Sequence, residues 1–393
     1  MILKKIKLHN WKNFQNCEVD LTERCFIIGA NASGKSNFID ALRFLRDIAK
    51  QSGGLQTAVE ERGGITKIRC LAARRKNNVS ITVELGNPNE EQNLWKYHLD
   101  FVHTGGGVIK SQVKIIAEEV YSYLDKKNIL ERGTKSKGED DETLKYTHLE
   151  QVNANRKFRE LQVFFQNIEY LNVIPQMVRE SSSVVTSLTK EDYYGRNFLE
   201  KLAKMNEKTR NSYFRRINGC LKIAVPQLEE LRFVKDQMGI PHLEARYIHW
   251  RATGSKQQEM QFSDGTLRLI GFLFALLDNN GIILLEEPEI NLHSGIISQI
   301  PGFIHKIQRS KKSKTDSQIL LTTHSYDILS VSGISTDEVL VLQTTLNGTT
   351  IQNVSDIADI KSIVDAGFSI ADAVIPYTKP KDIEKLPQLS FSF

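Results

Sequence analysis

Apolar and polar residues alternate through ILKKIKLHNW and CEVDL near the start of the chain, the two-residue period of strands that bury one face. The run Phe26-Ile27-Ile28 abandons that alternation and is apolar throughout, as expected of a strand covered on both sides. Beyond it Phe38, Ala41, Leu42 and Leu45 recur three and four apart, which predicts a helix to about Lys50. Residues 51–75 are broken by two Gly-Gly pairs, and NVSITVEL, WKYHLDFV and a third pattern from near Val108 then predict a small antiparallel side sheet.

Residues 125–150 are polar and poor in apolar side chains, so an exposed excursion is expected there. A helix at KFRELQVFFQ precedes IEYLNVIPQ, which reads as a strand ending at Gln176. Residues 189–222 are charged and mostly helical in pattern, without a sustained heptad repeat. The last third alternates a buried helix (SDGTLRLIGFLFALL), a buried strand (GIILLEEPE), a helix (SGIISQIPGFIHKIQ) and another buried strand (SQILLTTH), the signature of a mostly parallel sheet. The expected fold is therefore α/β, with a mostly parallel core sheet, an antiparallel side sheet and a helical insertion lobe. Its expected organisation is an N-terminal part over 1–180, a mainly helical lobe over 181–255 and a C-terminal part over 256–393.

Composition narrows the class. The 393 residues are 40% hydrophobic and 25% charged, ordinary for a globular protein that buries a large core. MILKKIKLHNWKNF has no continuous apolar core of a signal peptide, and no stretch approaches the ~18 apolar residues of a membrane span, so a cytoplasmic location without membrane contact is expected. Cys17, Cys25, Cys70 and Cys220 are widely spaced with no Cys-x-x-Cys pair, which reads as buried or inert thiols rather than zinc ligands or disulfides. A net charge of +5 is too mild to name a partner. The run HKIQRSKKSK, 305–314, reads as a solvated helix end facing the negative terminus of the helix dipole, with DNA contact as the alternative.

Chemistry enters at Gly29-x-x-x-x-Gly34-Lys35-Ser36, a phosphate-loop pattern set between a strand and a helix. Glycines let backbone N–H groups approach phosphates, the helix N-terminus adds its positive end, Lys35 meets the β- and γ-phosphates and Ser36 ligates Mg²⁺. IILLEEPE, residues 282–289, ends a buried strand in two adjacent carboxylates. A Glu-Glu at a strand end commonly just faces solvent; beside a phosphate loop, Glu286 suits the Mg²⁺ shell and Glu287 suits orienting and deprotonating the attacking water. QFSDGTLR places Ser263, Asp264 and Gly265 at a helix start, either an ordinary N-cap or a second anion-binding end for a γ-phosphate across a subunit boundary. His324 follows a buried strand, where a neutral imidazole can bond the γ-phosphate and the catalytic water, and Gln176 is a candidate for Mg²⁺ or that water, a turn glutamine being the alternative.

This ordered series resembles the P-loop, ABC-type ATPase head of the RecF/SMC superfamily. More narrowly, GANASGKSN, SDGTLR, LLEEPEINLH and TTHS resemble the compact bacterial ATPases related to the overcoming-lysogeny-defect (OLD) proteins, several of which act in anti-phage systems, and the likeness runs from residue 1 to about 345. Phe262-Ser263-Asp264-Gly265-Thr266 replaces the transporter signature Leu-Ser-Gly-Gly-Gln, which fits the RecF-like side. About 70 residues follow His324, fewer than the nuclease domain of OLD nucleases, so no nuclease activity is expected of this chain. Ser294 stands where the family commonly has proline after His293. The resemblance implies ATP and Mg²⁺ as ligands, with Asn31 and Asn37 in the nucleotide loop. It also implies a head-to-tail homodimer or higher oligomer with ATP between the Lys35 loop of one subunit and the Ser263–Gly265 helix end of the other, and Asn291 to His293 near the seam.

Two kinds of work follow from that resemblance. One is an ATPase that dimerises around ATP and switches an operon-encoded effector in anti-phage defence; small size and the absence of a long coiled coil favour it. The other is a DNA-engaged ATPase clamp for repair or chromosome maintenance, supported by residues 305–314 and Arg74-Arg75-Lys76. A phosphoryl-transferring kinase would share the phosphate loop but has no use for the Ser-Asp-Gly helix.

Overall fold

A computed structural model describes residues 1–73, 77–88, 90–105, 112–180, 195, 197–250, 254–278, 281–310, 317–379, 383 and 385. Its strands along the chain are β1 (Ile2–Trp11), β2 (Phe14–Asp20), β3 (Arg24–Gly29), β4 (Asn78–Gly86), β5 (Asn93–Thr104), β6 (Gln112–Ser122), β7 (Lys127–Gly133) and β8 (Glu169–Leu171). The remainder are β9 (Leu228–Lys235), β10 (Pro241–Tyr247), β11 (Ser255–Gln258), β12 (Ile282–Glu286), β13 (Gln318–Thr323), β14 (Val339–Thr345) and β15 (Gly348–Asn353). The chain divides into one unit of Met1–Glu169, Asn280–Leu284 and Lys314–Phe393, and another of Tyr170–Asn279 and Leu285–Ser313.

Two sheets build the first unit. The side sheet is antiparallel, ordered β2-β1-β4-β5-β6-β7, with Leu8 opposite Ile81 and Val83 opposite Tyr97. Alternate residues of β5, from Trp95 through Tyr97 and Leu99 to Phe101, are buried, as the period of two requires. In the core sheet, ordered β15-β14-β3-β13-β12, β3 lies parallel to both neighbours, with Phe26 opposite Leu321 on β13 and Val339 on β14. Helix Lys35–Ala49 packs by Phe44, whose ring lies 5.1 Å from Trp11 and 5.5 Å from Phe101. Each such fully buried ring contributes about 1.5–3 kcal/mol of apolar transfer. Gln318, with no exposed surface, stitches distant segments: its amide accepts from Leu3 N at 2.9 Å and donates to the Leu3 and Thr22 carbonyls, both at 2.7 Å.

Much of the segment 125–150 is exposed, as its composition suggests, including Lys126, Lys127, Lys137 and Asp140 to Glu142, but part of it is built into the fold. Part of it is β7, and Thr147 and Leu149 have no exposed surface. The reason is a polar core: the fully buried Glu118 carboxylate accepts from Arg132 Nη1 (3.0 Å), His148 N (2.8 Å), Leu149 N (3.2 Å) and Tyr97 Oη (3.2 Å). Charged residues here satisfy one another inside, which a count of apolar residues does not register.

In the second unit, the stretch expected to be mainly helical holds helices Phe198–Lys204 and Glu207–Ala224 followed by an antiparallel sheet, β11-β10-β9. Alternation in LEELRFVK and PHLEARY accounts for those strands: Leu231, Leu243 and Ala245 are buried. Asn206 caps the longer helix by accepting from Lys208 N at 2.9 Å, and Asn218 within it grips the Leu231 backbone through N and O at 2.6 and 2.8 Å. The apolar helix Asp264–Asp278 is buried along most of its length, and the run expected as one helix at SGIISQIPGFIHKIQ is two, Ser294–Ile297 and Ile300–Ser310. The break precedes Pro301, which lacks the N–H an uninterrupted helix needs.

Candidate functional site

The first unit carries the phosphate loop between β3 and helix Lys35–Ala49. Gly34 is the helix N-cap with φ of +103°, and a Cβ there would lie 1.9 Å from Asn13 Nδ2, so both conformation and space require glycine. At Gly29 a Cβ would approach Ser33 Oγ to 2.5 Å and the Leu342 carbonyl to 3.0 Å, so a side chain there would displace Ser33 and press on β14. Ala32, at φ of +60°, also adopts the left-handed conformation, at a cost of about 1 kcal/mol. No side-chain oxygen caps the helix, and Ser33 Oγ is buried without a hydrogen-bond partner among the described residues. An uncapped helix N-terminus behind a glycine cradle with an orphaned buried hydroxyl fits an anionic phosphate.

Lys35 is buried, its Nζ donating to the Gly29 and Ala30 carbonyls at 3.1 and 3.3 Å. It also lies 2.8 Å from Nε2 of His324, just past the end of β13. Nδ1 of the same ring is 3.2 Å from that Nζ. Asn31 and Ser36 are exposed. The Asn37 side chain donates to Asn13 Oδ1 at 2.8 Å, and its carbonyl accepts from Trp11 Nε1 at 2.8 Å.

Asn13 and Thr349 escaped the sequence reading. Asn13 Nδ2 donates to the Ser33 carbonyl (3.0 Å) and to Thr349 Oγ1 (2.6 Å), while Thr349 Oγ1 donates to the same carbonyl at 2.8 Å. Together they hold the loop's backbone from the turn between β1 and β2 and from β15. A turn asparagine and an edge-strand threonine have no distinctive spacing; the only hint is Asn13's place in the polar turn of HNWKNF.

The second unit carries the acidic residues. Glu286 is the last residue of β12 and accepts a hydrogen bond from Tyr170 Oη on β8. Glu287 has φ of +43°, a left-handed conformation that a non-glycine residue holds only when its surroundings impose it. Arg268, whose Nε is buried without a hydrogen-bond partner among the described residues, has its pKa lowered by burial against the opposing fields of Asp264, Glu287 and Glu289. Ser263 and Asp264 are exposed at the start of helix Asp264–Asp278, where Ser263 Oγ accepts from Thr266 N at 3.2 Å. A Cβ on Gly265 would come within 2.4 Å of the Asn291 carbonyl, which bars any side chain. Arg179 donates to Asp264 Oδ1 (2.6 Å) and to the Phe262 carbonyl (2.7 Å), steadying that helix start.

Gln176 is not at a strand end. β8 stops at Leu171 and Pro175 opens helix Pro175–Arg179, proline being favoured at a first helical position. The Gln176 amide is exposed and donates to Glu180 at 2.7 Å. Arg74, Arg75 and Lys76, and residues 311–314 of the second basic run, lie outside the described residues; His305, Lys306 and Arg309 are exposed on helix Ile300–Ser310. Among the described residues no helix is long and apolar enough to cross a membrane.

A family model described as "AAA domain, putative AbiEii toxin, Type IV TA system" matches residues 25–330, and one for the "P-loop containing region of AAA domain" matches residues 3–46. No curated protein matches the chain. Among solved structures, an SMC head bound to the C-terminal winged-helix domain of ScpA is similar with a TM-score of 0.50 at 12% identity, over 90% of this chain and 97% of that one. An SMC head domain from Thermotoga maritima gives a TM-score of 0.46 at 11% identity, over 90% and 99% of the two chains. A Pyrococcus furiosus SMC head with an extended coiled coil, bound to the C-terminal domain of ScpA, gives 0.49 at 11%, over 93% and 99%. With a phosphate loop between strand and helix, a carboxylate at the end of β12 followed by a second just beyond it, and a family match over residues 25–330, the chain belongs to the AAA-domain family so described and is an α/β P-loop ATPase with an SMC-head-like fold.

Proposed function

We propose that this ATPase closes as a head-to-tail homodimer on ATP and uses hydrolysis to switch an operon-encoded effector in anti-phage defence, on the OLD-like pattern. The observation that carries the nucleotide reading is the loop itself: left-handed Gly34, the orphaned Ser33 hydroxyl and buried Lys35 form an anion cradle. Lys35 would turn from the Gly29 and Ala30 carbonyls to the β- and γ-phosphates, and the Asn31–Asn37 backbone would hold their oxygens. Ser36, Glu286 and Gln176 are the residues proposed to hold Mg²⁺, which when bound neutralises charge on the phosphates. Glu287 takes a proton from water as its oxygen bonds to the γ-phosphorus and the bond to the β–γ bridging oxygen breaks, leaving ADP and phosphate. His324, neutral, donates to the γ-phosphate through the ring nitrogen that carries its proton. Ser263, Asp264 and Gly265 would meet the nucleotide of the partner copy, so that loss of the γ-phosphate removes charge-assisted bonds across the seam. The toxin named in the family's description is in keeping with a defence setting.

Lys35→Ala is expected to abolish nucleotide binding in calorimetry. Glu287→Gln should bind ATP while its turnover falls about a hundredfold or more. A Glu287→Gln protein turning over at the wild-type rate would sink the assignment of the base. The DNA-clamp alternative draws on the exposed His305, Lys306 and Arg309; it requires DNA affinity that falls steeply with salt, and a missing or salt-independent response removes it.

A further inference from the structure

The second unit contains a groove of about 850 Å³ that the nucleotide reading leaves unused. Helices Glu207–Ala224, Asp264–Asp278 and Ile300–Ser310 contribute Ile217, Leu273, Leu277, Phe303 and Ile307 to its lining. Ile223, also in the lining, is 83% exposed, on the helix that buries Phe214, Ile217 and Leu221.

Charge at the rim is one-sided. Arg216 and Lys306 line the groove, no Asp or Glu does, and neither cation has a carboxylate partner among the described residues. Helix Glu207–Ala224 bears Lys208, Arg210, Arg215, Arg216 and Lys222 against one acid, Glu207. An apolar floor between cations complements a helix whose apolar stripe is flanked by carboxylates. Nucleic acid would engage the cations but leave the apolar floor uncovered, and two grooves paired about a two-fold axis would bring like charges together.

We infer that this groove docks an acidic amphipathic helix from a partner protein. None of the residues named in its floor and rim is assigned to the nucleotide, and the surface is tested without nucleotide.

Cys220 supplies the readout, because it is half-buried in the groove lining. Cys25 and Cys70 are buried, and burial pushes the Cys17 thiol up to about 12. Labelling of the full-length protein by a chromogenic disulfide reagent, with a Cys220→Ser control to identify the signal, is followed with three synthetic peptides of about 18 residues, five helical turns. These are a leucine-glutamate amphipathic helix, its leucine-lysine counterpart, and a leucine-glutamate peptide scrambled to abolish the stripe. The acidic helix is expected to slow Cys220 labelling about tenfold at saturation, and Arg216→Glu with Lys306→Glu to remove the protection while the thermal melt is unchanged. Equal protection by the lysine or scrambled peptide, no protection by the acidic helix, or protection by duplex DNA or by raised protein concentration alone would overturn the proposal.

Discussion

Lys35 Nζ lies among the Gly29 and Ala30 carbonyls and the His324 ring, so the loop's cation is already desolvated and fully engaged in this arrangement. Binding a triphosphate then exchanges one set of acceptors for a more highly charged one. Glu150 contributes to the pH response. Burial pushes the Glu150 carboxyl up to about 7 against the pull of the Leu55 and Thr147 N–H groups, with Glu118 raising it further and Arg132 opposing. A raised acid keeps a proton in the native state that the unfolded chain has released. Stability should therefore fall as pH rises from about 4.5 to about 7, by about 3 kcal/mol in all from this group. Carbon-detected NMR titration of Glu150 should show a midpoint near 7; a midpoint below 5 would refute this. At this scale the sequence spoke clearly where chemistry has a spacing, as in Gly29 to Ser36. It was silent on Asn13, Thr349 and Ser33, whose roles arise from which segments the fold brings together.

Elements were legible where one period dominated. The buried β3 and β13 and the apolar helix Asp264–Asp278 follow directly from their patterns. Gln176 was misplaced because an apolar run before a proline reads equally as strand or as the lead-in to a helix, and only backbone geometry separates them. The buried part of the 125–150 stretch was not legible because its burial is achieved by charge satisfaction around Glu118, not by apolar surface. The packing of the Ser-Asp-Gly helix start on Asn291 gives an element-scale test. Gly265→Ala drives a methyl against a backbone carbonyl 2.4 Å away and should lower stability by about 1–3 kcal/mol in urea denaturation. An unchanged midpoint would show that this contact yields.

At the scale of the whole molecule the fold class was recoverable because the two six-stranded sheets leave separate signatures, alternation for one and unbroken apolar runs for the other. Biological role was not, since a partner's identity leaves no period in this chain. The assembly itself can be tested: Glu287→Gln with ATP should elute as a dimer in light-scattering chromatography, and Ser263→Arg should hold it as a monomer. Dimers that form equally without nucleotide would break the link between triphosphate and assembly.

The clasp that Gln318 places on Leu3 and Thr22, together with the flanking of β3 by β13 and β14, bears on how the polypeptide is born. When the ribosome has made the first 310 residues, β3 has emerged without either neighbour, and its apolar edges wait for segments still inside the tunnel or not yet translated. Closing a gap of 315 residues is slow and exposes sticky backbone meanwhile. Translation truncated before Gln318 should therefore yield an insoluble product, and pausing late in the message should raise the demand for chaperones.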